Sequence, residues 1–127
     1  MEEKRKYDLE ERLIDFAVEI IWITENLSNT KPGNHISGQL VRSGTSPALQ
    51  YGEAQSAESR NDFIHKLKIL LKELRETRVA LKIINKAKLS NDVNRIEKAF
   101  TECNELISIF VKSIETTKKN SLKPEPK

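Results

Sequence analysis

Between Glu53 and Glu76 the chain sets out Glu53, Gln55, Glu58, Asp62, His65, Glu73 and Glu76, groups that can hold a divalent metal or pass a proton. Di-iron helical bundles use a Glu-x-x-His step twice, with further glutamates projecting into the core. Here a comparable step occurs once, as Asp62-x-x-His65. At 100° per residue, His65 lies about 200° around a helix from Phe63, away from an apolar interior. The spacing favours a polar network over a metal site. Arg42, Glu53, Gln55, Asp62, His65, Ile69 and Glu76 are the candidates for such a network or for a subunit interface, where every buried polar member needs a partner. No metal and no cofactor is expected.

Nucleophilic catalysis has less to build on. The single cysteine, Cys103, falls on the apolar seam of a helix, where a thiol behaves as a small hydrophobe. His35 lies in or beside a loop, and the chain has no glycine-rich phosphate loop, nucleophile elbow or paired-cysteine motif. The chain is not expected to be an enzyme.

A basic group carries a different chemistry. Lys68, Lys72, Arg75, Arg78, Lys82 and Lys86 recur at three- and four-residue steps, so most share one flank of a helix. Such a stripe can neutralise phosphates in a salt-dependent, sequence-independent way, which makes RNA or DNA a candidate partner. The competing expectation is that these cations pair with acidic helices of the same chain or merely solvate the surface. No aromatic residues interleave with them to stack bases.

These residues need elements to position them. Leu9, Leu13, Phe16, Ile20, Ile23 and Leu27 alternate steps of four and three, which predicts a first helix over about 8–27. Ile14, Ala17 and Ile21 widen its apolar face, as burial against more than one neighbour would require. After the loop NTKPG, a second helix is expected over about 34–57, with Pro47 bending it. Ser46 capping a new helix at Pro47 is the alternative. Ser59 and Asp62 resemble a capping box before a third helix over 59–87, whose seam is Phe63, Leu67, Leu70, Leu74, Leu81 and Ile84 with Thr77 in the gap. Ser90 or Asn91 would cap a fourth helix over 91–117, carrying Val93, Ile96, Phe100, Cys103, Ile107, Phe110 and Ile114. Four such helices with short connections specify an all-α, antiparallel up-down-up-down four-helix bundle as one domain over 1–117. Residues 118–127 read as a disordered basic tail.

The charge is segregated along this plan. Residues 1–30 hold four Lys/Arg against eight Asp/Glu, and residues 60–88 hold nine against three. The tail carries four lysines and one glutamate, which accounts for the formal net charge of +3. No stretch is apolar for long enough to span a bilayer, no secretory pattern opens the chain, and one cysteine cannot make an internal disulfide. A cytoplasmic protein is expected.

Two features point to association. Ile69, Val79 and Ile83 lie roughly opposite the core side of helix three, where an isolated bundle would stay wet. The wide apolar face of helix one is the second; Gly44, Ala48 and Gly52 separately give helix two a thin side for close backbone packing, with a ligand pocket as the alternative. A homo-oligomer is the favoured reading, and a protein partner is the other.

The run LVRSGTSPALQYGEAQSAESRNDFIHKLKILLKELRET, residues 40–77, resembles the four-helix-bundle family labelled S23, associated with intervening sequences inside bacterial 23S ribosomal RNA genes. Arg42-Ser43, Ser46, Glu53, the Asp62 to Lys66 run and Leu74-Arg75-Glu76-Thr77 carry the resemblance, which extends over the whole helical region. Relatives often have asparagine at Gln50, glycine at Ala54 and an aliphatic residue at Pro47, so this chain looks like a subgroup. The resemblance implies a homo-oligomer, with a pentameric ring as its form. It also implies similarity to the basic accessory bundles of diversity-generating retroelements, which bind nucleic acid and a reverse transcriptase. It implies no catalytic activity.

Overall fold

The computed structural model describes residues 2–121, with side chains described from Leu9 to Asn120. Four helices follow one another: α1 (Glu2–Glu25), α2 (Lys31–Ala54), α3 (Arg60–Ala87) and α4 (Val93–Ser121). Each packs against the next, and α4 closes back on α1, while the diagonal pair α2 and α4 meets through side chains, the rings of Tyr51 and Phe110 lying edge to face at 5.7 Å. This is the all-α four-helix bundle that the periodicity specifies. Residues 122–127, most of the segment expected as a basic tail, lie outside the described residues; α4 itself continues to Ser121.

The helix ends follow local chemistry. The Thr30 hydroxyl accepts from the Gly33 amide at 3.1 Å and caps α2, so the helix begins at Lys31, with Pro32 in its first turn, rather than at Asn34. Proline is tolerated there because first-turn amides have no intrahelical acceptor. Ser59 caps α3 by accepting from the Asp62 amide at 3.0 Å, and the Asp62 carboxylate accepts from the Glu58 amide at 3.3 Å. Lys88, the one described non-glycine residue with positive φ, ends α3 in the left-handed region. The Leu89 amide then donates to the Ile84 carbonyl at 3.0 Å. The cap of α4 is Asp92, whose carboxylate accepts from the Arg95 amide at 3.1 Å; Ser90 instead accepts from the Asp92 amide. Neither Ser90 nor Asn91 holds the cap itself.

Pro47 lies inside one continuous α2 and is buried. The two-helix alternative is therefore not realised: Ser46 sits within the helix, and its hydroxyl donates to the Arg42 carbonyl at 2.6 Å. Its neighbour Gly44 is where α1 comes closest. A Cβ placed there would stand 2.5 Å from Cγ2 of Ile20, a separation real side chains do not adopt. The core joins Leu13, Phe16, Ile20 and Ile23 to Leu40, to the α3 row Leu67, Leu70, Leu74, Leu81 and Ile84, and to Ile96, Cys103, Leu106 and Phe110.

Candidate nucleic-acid interface

The six cations of α3 take their place from its core seam. Leu67, Leu70, Leu74, Leu81 and Ile84 face inward, which turns Lys68, Lys72, Arg75, Lys82 and Lys86 to solvent along the α4 side and the outer side of the helix. From Lys68 to Lys86 they extend over about 27 Å at 1.5 Å per residue. None of the six forms an ion pair among the described residues. Pairing with the chain's own acidic helices is thus not what occupies this stripe. Arg78 differs from the rest: it is half-buried toward α4, close enough to Cys103 for its charge to act on that thiol. Beside it, Lys82, Asn85 and Lys86 rim a groove of about 310 Å³ between α3 and α4, with Leu81, Ile96 and Phe100 also lining it.

The candidate polar network forms as separate pairs along the α2–α3 seam. Arg42 reaches the carboxylates of Glu73, at 3.0 Å, and Glu76. Glu53 takes the ammonium of Lys66 at 2.9 Å. Gln55 follows the last turn of α2, and its side chain bonds the Tyr51 phenol. Burial raises the Tyr51 pKa, and the bond to Gln55 partly offsets that rise. Asp62 serves the α3 cap, His65 is exposed, and Ile69 is half-buried. So Arg42 and Glu76 come together, whereas Glu53, Gln55, Asp62, His65 and Ile69 do not join them. Among the described residues no three His, Cys, Asp or Glu side chains converge as a metal site would need.

Three contacts were not legible in the sequence. The hydroxyls of Ser43 and Thr77 meet at 2.9 Å in the dry α2–α3 seam, and the Thr77 hydroxyl also lies 2.9 Å from the Glu73 carbonyl. On the opposite side, Arg95 stacks on Trp22 at 3.6 Å from the ring centre while its guanidinium donates to Glu19 at 2.6 and 3.2 Å. Arg12 grips Glu102 in the same bidentate way, at 3.0 and 2.7 Å. These clasps border a cleft of about 470 Å³ between α1 and α4, whose lining mixes Asp15, Glu19 and Glu102 with Arg95 and Lys98. With Asp92 also in the lining, four carboxylates face two cations, so the cleft is acidic on balance. The α3 stripe is where cations stay without an ion-pair partner among the described residues.

A search of curated proteins finds no match. The profile of the family described as 23S rRNA-intervening sequence protein matches residues 5–112. The chain belongs to that family. The 23S rRNA-intervening sequence family match spans all four helices, beyond the stretch in α2 and α3 where the resemblance is most visible. A solved structure agrees: a protein of unknown function from the S23 ribosomal protein family of Bacteroides thetaiotaomicron is similar at 32% identity, over 84% of this chain and 97% of that one, with a TM-score of 0.74. Family membership thus settles the ancestry and the fold, and the function of that relative is itself unknown. No described helix is long and apolar enough to cross a membrane.

Proposed function

We propose that this chain is a non-enzymatic scaffold that holds the phosphate backbone of RNA or DNA against α3. The observation that supports it is the row of exposed cations, Lys68, Lys72, Arg75, Lys82 and Lys86, left without acidic partners over about 27 Å of helix. Phosphate contacts of this kind fix position without reading bases, so binding would be strong at low salt and indifferent to sequence. Five contacts to duplex DNA would give a slope of log affinity against log salt near −4.5, a loss of several-hundred-fold between 50 and 200 mM salt. The test is binding to unrelated RNA and DNA duplexes over that range. Lys68→Glu, Arg75→Glu and Lys82→Glu together should weaken it at least about tenfold with helicity unchanged. A flat salt response, or no binding at 50 mM salt, sinks the reading.

A second reading is a bundle that associates with itself without any nucleic acid. Ile14, Val18 and Ile21 on α1 and Val79 and Ile83 on α3 favour it, since all five are large apolar side chains left exposed. The mass of the protein in solution, free of nucleic acid, tests that reading directly.

A further inference from the structure

The groove between α3 and α4 brings together two groups that the sequence keeps apart. From α3 come Lys82 and Lys86, both exposed and without an ion pair among the described residues. From α4 comes Phe100, half-buried, with its ring in the lining. No aromatic residue lies among the cations of α3 itself, so only the packing of the two helices sets a ring beside them. The floor is apolar, since Leu81 and Ile96 are buried there, and a volume of about 310 Å³ is at the small end of ligand pockets. Asn85, Glu97 and Thr101 are exposed at its rim. Phe100 and Thr101 also line a second hollow of about 440 Å³ with Asn104, Ser108 and Ile109, so the ring borders open space in both. A ligand suited to this groove needs an apolar face for Phe100, a negative group for the lysines and a donor for Glu97, whose ionised carboxylate can only accept. An unpaired nucleotide has all three: a base with a π face and an amino edge, and a phosphate on either side.

We infer that this groove seats an unpaired base of an RNA or DNA strand against Phe100, with the flanking phosphates on Lys82 and Lys86. The inference rests on the phosphate reading and adds to it the state of the strand that binds best. Lys82 and Lys86 are one turn apart, about 6 Å along α3, and the stripe continues through Arg75 to Lys68, so the strand leading away from the seated base stays over cations. Stacking of a base on an aromatic ring is tolerant of sequence because every base has a π face. Bases in a duplex are already stacked and paired, and entering a pocket requires their extrusion. A duplex therefore uses the stripe alone, whereas a single strand uses both the stripe and the groove.

The test compares a single strand, the same strand with stable abasic spacers in place of its nucleosides, and the duplex of that sequence, by fluorescence anisotropy at about 50 and 200 mM salt. The base-bearing strand should bind at least about fivefold more tightly than the abasic one, which carries the same phosphates. That gap should persist at the higher salt, because stacking releases no counterions. Phe100→Leu, with helicity checked by circular dichroism, should lose the gap and leave duplex affinity unchanged. Phe100→Tyr keeps an aromatic face and should bind as the unmodified protein does. Equal affinity for the base-bearing and abasic strands, or a Phe100→Leu variant that weakens duplex and single strand alike, overturns the inference. So does a change in the mass of the nucleic-acid-free protein on Phe100→Leu, which would place a second copy in the groove. Lys68→Glu with Arg75→Glu leaves the groove residues intact and separates the two readings. Unchanged duplex binding in that variant sinks the phosphate reading, while the gap between the strands still decides the groove. No binding of any probe at the lower salt sinks both.

Discussion

Cys103 shows how a reactive residue type is disarmed by its place. Its sulfur lies 3.2 Å from the Leu74 carbonyl in a fully buried position, and burial pushes the thiol up to about 12. The native thiol should resist a water-soluble thiol reagent at pH 8 and react fully once unfolded, as mass spectrometry would record. The unfolded thiol titrates near its ordinary value of about 8.5, so above that pH the unfolded chain binds fewer protons than the folded one. Stability from this group is therefore complete below about pH 8.5 and falls by up to about 1.4 kcal/mol per unit toward pH 12. Denaturation at several alkaline pH values should show that decline in the native sequence and a shallower one in Cys103→Ala. The buried hydroxyls of Ser43 and Thr77 behave in the opposite manner, each being needed by the other. Thr77→Val should cost about 1–2 kcal/mol by leaving Ser43 unpartnered, and adding Ser43→Ala should recover part of it. Urea midpoints of the two singles and the double would measure this.

At the scale of elements, the thin side of α2 divides into two environments. Gly44 meets Ile20 directly, so Gly44→Ala must push α1 and α2 apart and should destabilise by about 1–3 kcal/mol. An added Cβ at Gly52 meets nothing within 4 Å. Gly52→Ala should instead stabilise by up to about 0.5–1 kcal/mol through helix propensity, and thermal melts of both variants would show shifts of opposite sign. The four-residue repeat of small residues is plain in the sequence; which of them meets a neighbour is not. Apolar rows of α1, α3 and α4 could be read directly because burial of one stripe is what makes a helix amphipathic. The start of α2 and the cap of α4 were misplaced by a few residues. Thr30, Ser90, Asn91 and Asp92 are all able caps, and the choice among them depends on the path of the loop. That path is fixed partly by a tie across the chain, where the Ser28 amide donates to the Leu89 carbonyl at 2.8 Å.

For the molecule as a whole, closure of the bundle depends on α4 returning to α1, and this seam is packed less closely than the other three. Arg95 on Trp22 and Glu19, with Arg12 on Glu102, ties the outside of this seam. Exposed ion pairs weaken as salt screens them. Raising salt to about 1 M, where the screening length is about 3 Å, should alter Trp22 fluorescence with helicity unchanged, and Arg95→Ala should reproduce the change at low salt. If the seam opens locally, its amides on α1 should exchange hydrogen faster than those of the α2–α3 pair under the same conditions. Fluorescence and exchange that are the same with and without Arg95 would remove the clasp from this account.

The sequence by itself determined the four helices, their order and the segregation of acidic α1 from basic α3. Each of these follows from local periodicity or from counting charge along the chain. The tertiary structure decided which charges are spent. Arg42, Lys66 and Arg95 neutralise carboxylates brought to them from other helices, or from other parts of the chain, while the row from Lys68 to Lys86 meets none. An ion pair needs two side chains within about 4 Å, and residues such as Glu19 and Arg95, far apart along the chain, acquire that distance only when the bundle closes.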